Sequence, residues 1–471
     1  MAEPLWQWEE LSAAAGARAE GTPSMPVTGF SIDTRTIDPG DVFVALKDAR
    51  DGHEFVSQAF KMGAAAAIVA QGYARQPDDG ALLRVDVPLR ALEGVGRAAR
   101  IRADAKIVAV TGSVGKTGTK EALRLCLSAL GSTHASEKSY NNHWGVPLTL
   151  ARLPKSAQYG VFEIGMNHPG EITPLTQMVR PHVAVITTVE PVHLAQFQSV
   201  EEIAEAKAEI LQGLVPGGTA VLPLDNAHFP QLRDRAMSIG ARVLTFGYHD
   251  EADFRCVQVD LGPKGSSVIA GHGSQRFPYK VGAPGEHFVR NSLAVLATLR
   301  ALGADIMRAL PALASVSAAT GRGARTLLGA PDAQILLIDE SYNANPASMR
   351  AALAAMATTP REEFPRRIAV LGDMLELGNA AEALHRGLKE AVDAAGTDLV
   401  FACGPNMKLL MDDLAPPRRG SWAAASSELT DALLDAVRPG DVVMIKGSLG
   451  SRMAPLVAAM LARFGKAPGG S

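Results

Sequence analysis

The sequence is short of cysteines, aromatic residues and net charge, and these shortages argue against several classes of protein. The only cysteines among its 471 residues are Cys126, Cys256 and Cys403, which form neither a CxxC pair nor a metal-binding spacing. Aromatic residues make up 5% of the chain and the formal net charge is −3. Nucleic acids and anionic membranes both select a basic surface, so neither is an expected partner. No stretch reaches the ~20 apolar residues of a membrane span.

The compartment is inferred from the cysteines and from the N-terminal segment. A sparse, odd number of cysteines fits a reducing compartment better than a disulfide scaffold. The segment MAEPLWQWEELSAAAGARAEG carries acids and tryptophans, and it lacks the basic stretch and apolar run of a signal peptide. We therefore expect a cytoplasmic protein.

Changes of pattern along the chain divide it into three expected α/β domains. Residues 1–104 mix short apolar strands such as GDVFVAL with turns and helices, which indicates a small mixed domain. In 105–320 the strands KIVAV, YGVFEIG and HVAVITTV are apolar throughout, as in a parallel sheet buried on both faces. After the polar linker SAATGRGART, residues 321–471 alternate four strand-like runs with helices, which predicts a doubly wound, Rossmann-like domain.

The most informative motif is a phosphate-binding loop that runs from Thr111 to Thr117. It follows the strand KIVAV and precedes the helical stretch KEALRLCLSAL. Gly112 and Gly115 let backbone N–H groups approach phosphate oxygens, and the helix N-terminus attracts the same anion. Lys116 supplies a cation, and the Thr117 hydroxyl suits Mg²⁺. Valine replaces the first glycine of the strict pattern, so the motif is a TGxxGKT variant; an ordinary strand–turn–helix is the alternative.

Other polar residues in the middle region each have a functional and a structural interpretation. Glu163 ends a strand beside the loop, where it could hold a metal or simply be exposed. His193 follows the strand HVAVITTV, and Asn141 and Asn142 precede a helix. All three residues could therefore stabilise turns or bind ligands. Lys207 lies on an alanine- and glutamate-rich helix. Its ordinary interpretation is a lysine whose stem follows an apolar stripe while its ammonium reaches water.

Taken together, the ordered motifs resemble the Mur ligase family over nearly the whole chain. TGSVGKTGTKE, YNNHWGVPLTL, FEIGMNHPGEI and AEAKAEI resemble the family's central domain, and SYNANP, LGDMLELG and KGS its C-terminal domain. SIDTRTIDPGDVFVAL with DGHEF resembles the domain that holds a UDP-sugar. Within the family, YNANPASM with LGDMLELG is most like members that join D-alanyl-D-alanine to a UDP-N-acetylmuramoyl tripeptide.

The resemblance implies an ATP-driven amide synthesis in peptidoglycan precursor formation, through an acyl phosphate. The expected partners are those two substrates, and the chain is expected to act as a monomer. Alternatives are a Mur ligase that adds a single amino acid, or a folylpolyglutamate synthase, although the latter would begin close to its phosphate loop. A GTP-dependent switch protein would need an NKxD motif, which is absent from the sequence. A phosphate-binding structural protein would leave the ordered polar motifs unused.

The resemblance also implies roles for individual residues, with Lys116, Lys207 and His193 as the catalytic set. Thr117 and Glu163 become ligands of a first Mg²⁺, and His193 helps to hold a second. Lys207 matches a lysine that many members carry as a carbamate. The expected ATP contacts are Gly112, Ser113, Val114, Gly115, Lys116, Thr117, Gly118, Asn291, Arg322, Asp339, Tyr342, Asn343 and Asn345. The expected substrate contacts are Ser31, Asp33, Thr34, Arg35, Asn141, Asn142, Asp373 and Lys446. One departure is Glu190, an extra carboxylate where the family often has a small or amide residue.

Overall fold

The computed structural model describes residues 4–137, 139–192 and 194–465. Its strands form three separate sheets, of five, nine and six strands. The strands of the first sheet all precede residue 104, those of the second lie between 105 and 320, and those of the third follow 321. The molecule is therefore a three-domain α/β protein, while the domain boundaries themselves stay predictions.

The N-terminal sheet has the strand order β1-β5-β4-β3-β2, with β1 antiparallel to β5 and the other pairs parallel. Two single turns of 3₁₀ helix span Thr34–Thr36 and Gly52–Phe55. The long helix α3 starts at a proline in its first turn and leads directly to the second sheet. The elements are α1 (Trp8–Ala14), β1 (Arg18–Glu20), β2 (Gly29–Ser31), β3 (Asp41–Val44), α2 (Val56–Lys61), β4 (Ala66–Ala70), β5 (Ala81–Val85) and α3 (Pro88–Arg102).

The central sheet has the order β14-β13-β12-β11-β10-β9-β6-β8-β7. Its elements are β6 (Lys106–Thr111), α4 (Lys116–Ser128), β7 (Thr133–Ala135), α5 (Gly145–Ala151), β8 (Tyr159–Glu163), α6 (Ile172–Val179), β9 (Val183–Ile186), α7 (Val200–Ala208), β10 (Thr219–Pro223), α8 (Phe229–Ser238), β11 (Arg242–Gly247), β12 (Phe254–Gly262), β13 (Gly265–His272), β14 (Gln275–Val281), α9 (Glu286–Ala301) and α10 (Ile306–Ala309). Stretches of 3₁₀ helix span Glu209–Gly213 and Leu310–Ser315.

The central sheet departs from the expected all-parallel arrangement at one edge. The strands from β7 to β12 pair in parallel, whereas β13 and β14 continue as an antiparallel meander. Burial along β14 alternates between exposed and buried residues, because only one face of an edge hairpin packs on the core. The predicted strands of the parallel part are confirmed, since β6, β8, β9 and β10 are almost completely buried.

The C-terminal sheet has the order β15-β16-β20-β17-β18-β19, parallel except for β15. Its elements are β15 (Ala324–Leu328), β16 (Ile335–Glu340), α11 (Pro346–Ala357), β17 (Arg366–Gly372), α12 (Ala381–Arg386), α13 (Leu388–Ala394), β18 (Leu399–Cys403), α14 (Pro405–Asp413), β19 (Arg419–Ala423), α15 (Thr430–Ala436), β20 (Asp441–Lys446) and α16 (Ala454–Phe464). Stretches of 3₁₀ helix span Gly378–Ala380, Pro416–Arg418, Ser426–Leu429 and Leu449–Ser451. Separate apolar cores lie on the two faces, which confirms the doubly wound arrangement.

Candidate active site

The phosphate loop connects the end of β6 to the start of α4, as the sequence predicts. Gly112 and Gly115 have φ values of 147° and 84°, in the left-handed region that favours glycine. A Cβ atom on Gly112 would lie 1.9 Å from Thr187 Oγ1, and one on Gly115 would lie 2.8 Å from Asn291 Oδ1. Both glycines are thus required by conformation and by space. Asn291 lies on α9, is 8% exposed and lines the same cleft as the loop.

Lys116 is the first residue of α4 and turns back over the loop. Its Nζ donates a hydrogen bond to the Gly112 carbonyl oxygen at 2.6 Å. Desolvation lowers the pKa of this ammonium, while the nearby Glu163 carboxylate opposes the shift and Arg322 adds to it. The lysine is therefore held beside the loop by the backbone, with a carboxylate and a second cation in its surroundings.

Thr117 and Glu163 meet at the carboxyl ends of neighbouring parallel strands. Glu163 ends β8 and pairs in register with Val110 of β6, which places it next to the loop that follows β6. Thr117 Oγ1 donates to Glu163 Oε2 at 2.9 Å, and Asn141 Nδ2 donates to the other carboxylate oxygen at 2.7 Å. The Glu163 side chain is buried at 1% exposure. These contacts hold an anionic oxygen and a hydroxyl side by side.

The two neighbouring asparagines have different roles. Asn141 supports Glu163, whereas Asn142 Oδ1 accepts hydrogen bonds from the backbone N–H groups of Trp144 and Gly145 at the start of α5. The turn interpretation thus holds for Asn142, although both residues also line the cleft.

Lys207 lies within α7, and its side chain does not reach water. The residue is 2% exposed, so the interpretation of a snorkelling surface lysine is wrong. Within the described part of the chain its ammonium makes no hydrogen bond or ion pair. Burial, and secondly the positive charge of Lys116, place the pKa of Lys207 well below its ordinary value. His193, the expected ligand of a second Mg²⁺, lies outside the described residues.

Glu190 is hydrogen-bonded to the phosphate loop through Ser113. Its backbone N–H donates to Ser113 Oγ at 2.9 Å, and Ser113 Oγ donates to the Glu190 carbonyl oxygen at 3.0 Å. Its carboxylate accepts a hydrogen bond from Thr188 Oγ1 at 3.0 Å. The extra carboxylate therefore faces the cleft beside the loop, at a position that the sequence marked as unusual.

The C-terminal domain contributes its SYNANP segment to the same cleft. Tyr342, Asn343 and Asn345 line the cleft, and Asn345 caps α11 through a reciprocal hydrogen-bonded pair with Ser348. Lys446 Nζ donates to Glu340 Oε2 and to the Asn343 carbonyl oxygen, both at 3.0 Å.

Arg322, in the linker between the second and third sheets, joins the two sides of the cleft. Its guanidinium carbon lies 4.0 Å from the centre of the Tyr342 ring, a cation–π contact. Its Nη2 also donates to Ser139 Oγ, in the central domain, at 3.2 Å. These contacts connect the central and C-terminal domains at the cleft.

Asp339 and Asp373 do not line this cleft. Asp339 Oδ2 accepts from the Gly321 N–H, and Oδ1 accepts from both the N–H and the hydroxyl of Ser341. Asp373 caps the start of α14 by accepting from the N–H groups of Asn406 and Met407. Each carboxylate therefore organises backbone in the C-terminal domain.

The four N-terminal candidates form a compact turn that is also outside the cleft. Ser31 Oγ donates to the Asp33 carbonyl oxygen, and the Asp33 carboxylate accepts from the backbone and guanidinium of Arg35. Thr34 begins the 3₁₀ turn that Asp33 caps. These four residues thus form a turn, and their contact with the substrate stays a prediction.

The cleft that unites these elements has a volume of about 1120 Å³ and is lined by residues from all three domains. Sequence inspection missed several lining residues, among them His287 and Glu340. It also missed three charged residues of α3, namely Arg90, Glu93 and Arg97. Their spacing of three and four residues places them on one helix face, which was the available signal.

Comparison with known proteins identifies relatives over the full architecture. Residues 110–299 match the model of the Mur ligase middle domain, and residues 326–449 match that of the Mur ligase, glutamate ligase domain. The chain is 34% identical over 438 residues to the UDP-N-acetylmuramoyl-tripeptide–D-alanyl-D-alanine ligase of Escherichia coli (strain K12), covering 91% of this chain and 92% of the relative.

Solved structures that are similar to this chain include two that are named as MurF. The MurF structure from Acinetobacter baumannii has a TM-score of 0.83 and 29% identity, and the match covers 98% of this chain and 99% of that chain. The MurF ligase structure from Thermotoga maritima, solved in complex with ADP, has a TM-score of 0.76 and 26% identity, with 93% of this chain and 98% of that chain covered.

Proposed function

Because the chain belongs to the Mur ligase family, we propose that it joins D-alanyl-D-alanine to UDP-N-acetylmuramoyl-tripeptide in an ATP-dependent amide synthesis. This activity is the one in the names of its full-length relatives. The structural observation that carries the proposal is the single cleft in which the phosphate loop of one domain faces the SYNANP segment of another. Such a cleft can hold a nucleotide together with a carboxylate substrate and an amine.

ATP binds with its phosphates over the loop between β6 and α4. The backbone N–H groups around Gly112 and Gly115 donate to phosphate oxygens, and the N-terminus of α4 favours the same negative charge. Lys116 neutralises charge at the γ-phosphate. Asn291 lies against the loop from α9, while Tyr342, Asn343 and Asn345 approach from the third domain.

Mg²⁺ fits the donor pair formed by Thr117 and Glu163. Mg²⁺ prefers oxygen ligands and is usually held by one or two carboxylates together with substrate phosphates and water. No group of three His, Cys, Asp or Glu side chains suited to a metal occurs in residues 4–137, 139–192 and 194–465, so phosphates and water would complete the shell. The metal would supply charge neutralisation on the transferred phosphoryl group. A second ion, with His193, is also part of the proposal.

Lys207 is proposed to carry a carbamate. CO₂ adds only to a neutral amine, and the lowered pKa of the buried Lys207 ammonium favours that form. The product is an anion, which would replace a buried cation beside Lys116 with a charge of opposite sign. The modification is thus electrostatically favourable where an ammonium is not.

The reaction then consists of two substitutions that the cleft positions. An oxygen of the tripeptide carboxylate forms a bond to the γ-phosphorus of ATP while the bond to ADP breaks, giving an acyl phosphate. The neutral amine of D-alanyl-D-alanine attacks the acyl carbon, phosphate leaves, and the nitrogen loses a proton. A carboxylate is a poor electrophile, and phosphorylation provides the leaving group. The protein contributes positioning and charge neutralisation, in which Lys116 and Arg322 are the proposed cations.

The test is phosphate release from ATP with UDP-N-acetylmuramoyl-tripeptide and either D-alanyl-D-alanine or a single amino acid as the acceptor. We expect rapid release and a new amide product with D-alanyl-D-alanine, and background release with single amino acids. A parallel reaction with a folate and glutamate is expected to stay at background. Lys116→Ala serves as the inactive control. Turnover with glutamate or another single amino acid, and none with the dipeptide, would overturn the proposal.

A further inference from the structure

The side of the cleft formed by α3 carries a cluster of three charged residues, Arg90, Glu93 and Arg97. Arg90 Nη1 lies 2.8 Å from Glu93 Oε2, and Arg97 Nη1 lies 3.7 Å from the same oxygen. The Glu93 side chain is 12% exposed, whereas those of Arg90 and Arg97 are 76% and 53% exposed. One largely buried carboxylate is therefore shared by two accessible guanidinium groups, and the cluster carries one excess positive charge.

Apolar side chains line the same cleft as this cluster and the phosphate loop. Met166, Leu175 and Met178 are at most 9% exposed and belong to the cleft wall. Leu175 and Met178 lie on α6, which packs against α3. The cleft thus offers an apolar strip next to a group of charges of both signs.

An ion-pair cluster on a solvated helix face is the ordinary explanation for such spacing, and such pairs contribute little to stability. Two observations point to a ligand here. The three side chains line the cleft that contains the phosphate loop. In addition, the two arginines share a single carboxylate, that of Glu93. By contrast, Lys446 in the same cleft has its own carboxylate partner at 3.0 Å, Glu340.

We infer that this cluster, called the α3 charge cluster below, binds the ammonium and carboxylate groups at the end of an aliphatic amino-acid side chain. A ligand carboxylate would bind Arg90 and Arg97, its ammonium would bind Glu93, and its methylene groups would pack on the apolar strip. The inference rests on the proposed function and concerns the third residue of the tripeptide, for which diaminopimelate and lysine are the two alternatives. Diaminopimelate has such a zwitterionic end. Lysine ends in an ammonium alone, which would meet two guanidinium groups and a single carboxylate. The α3 charge cluster therefore selects the diaminopimelate substrate.

The experiment compares kcat/KM for the two UDP-tripeptides, with D-alanyl-D-alanine and ATP saturating. We expect the wild-type enzyme to favour the diaminopimelate form by about tenfold or more, the range for hydrogen bonds to charged groups. The double variant Arg90→Gln/Arg97→Gln should lower kcat/KM for this form about tenfold or more, mainly through KM, and should affect the lysine form much less. Glu93→Gln should also weaken the preference. Arg233→Gln is the matched control, because Arg233 is an exposed arginine paired with Asp234 on α8.

Inhibition by UDP alone distinguishes peptide recognition from a contact to the diphosphate. We expect the inhibition constant of UDP to be the same in the wild type and the double variant. Equal use of both tripeptides by the wild type would overturn the inference, as would a weaker UDP inhibition or an equal loss for both substrates in the double variant. If neither tripeptide supports phosphate release, the proposed function itself fails. Turnover of both at equal rates leaves that function intact and removes only the α3 charge cluster's role.

Discussion

Replacing Lys207 by methionine is expected to make the protein more stable and the enzyme inactive. Lys207 is 2% exposed, and its ammonium has no hydrogen-bond or ion-pair partner among the residues that the structure describes. Methionine keeps an unbranched side chain of similar length at this buried position and removes the charge. The substitution therefore relieves the cost of a buried, uncompensated cation with little loss of packing.

The sign of the effect follows from the direction of the pKa shift. Burial and the charge of Lys116 lower the folded-state pKa of Lys207 well below its ordinary value. At pH values below the folded pKa both states are protonated, so the whole penalty applies. As the pH rises towards the unfolded pKa of about 10.4, the unfolded state holds more protons, and wild-type stability increases. The penalty is present in full below the folded pKa, so we expect a gain at neutral pH and below that lies on the order of 1–3 kcal/mol, the usual range of single substitutions.

Calorimetry in CO₂-free buffer measures this gain, because carbamate would otherwise replace the ammonium. For a unit of 150–250 residues, each kcal/mol raises Tm by about 2–4 °C. The Tm difference between Lys207→Met and the wild type should be largest at low pH and should shrink as the pH rises towards about 10. Lys389→Met is the matched control, since Lys389 is exposed and pairs with Asp393; its effect should stay within about 0.5 kcal/mol. A lower Tm for Lys207→Met at pH 7 would refute the argument about the buried charge.

The same site provides a separate test of the carbamate. Lys207→Ala should lose activity, and added acetate or formate should restore part of it, because a small acid can occupy the space of the carbamate anion. Lys207→Arg should be inactive, since the guanidinium keeps its positive charge and does not take up CO₂ in this way. Full activity of Lys207→Arg would contradict the carbamate, whatever the outcome of the calorimetry.

Three further changes test the phosphate loop, the metal ligands and a helix cap. Lys116→Ala should lower kcat by ~10²–10³, the effect of losing one strong transition-state contact, with an unchanged circular dichroism spectrum; near-normal turnover at saturating ATP would contradict its role. Glu163→Gln should raise the Mg²⁺ concentration needed for half-maximal phosphate release, and an unaltered Mg²⁺ titration would exclude Glu163 as a ligand. Asn345→Ala removes the cap of α11 and should lower the free energy of unfolding by about 1 kcal/mol, measured by urea unfolding. Asn142→Ala removes the hydrogen bonds at the start of the shorter helix α5 and is the variant for comparison.

The parts of the fold that the sequence predicts are those with a strong local signal. The strands KIVAV and YGVFEIG are apolar throughout because both faces are covered, and they form β6 and β8. The meander of β12 to β14 gives a weak signal, since β12 is mostly exposed or half-buried and β14 alternates between exposed and buried residues at a sheet edge. The same limitation applies to the edge strand β15, whose four residues Ala324 to Leu327 are not buried.

In the site, too, some contacts can be predicted from sequence motifs, whereas others depend on the surrounding structure. The closeness of Thr117 and Glu163 is predictable, because strand ends of a parallel sheet meet at one edge. Asp339 and Asp373 belong to motifs of the same strength, yet both carboxylates accept backbone hydrogen bonds outside the cleft. A motif gives the residue type and its place on an element, whereas the direction of a side chain depends on neighbours that are distant in sequence.

The linker between the second and third sheets illustrates how such neighbours change an interpretation. Gly321 and Gly323 have positive φ values, which alone suggests a flexible pivot. However, the Gly321 N–H donates to the Asp339 carboxylate, the Gly323 N–H donates to the Asp339 carbonyl oxygen, and the Tyr342 N–H donates to the Gly321 carbonyl oxygen. Both glycines are therefore fixed to the C-terminal domain, and their conformation serves a tight turn. Any rotation of that domain would carry Arg322 and Tyr342 together as one unit, and the backbone that could absorb it lies before Gly321, in residues 316–320.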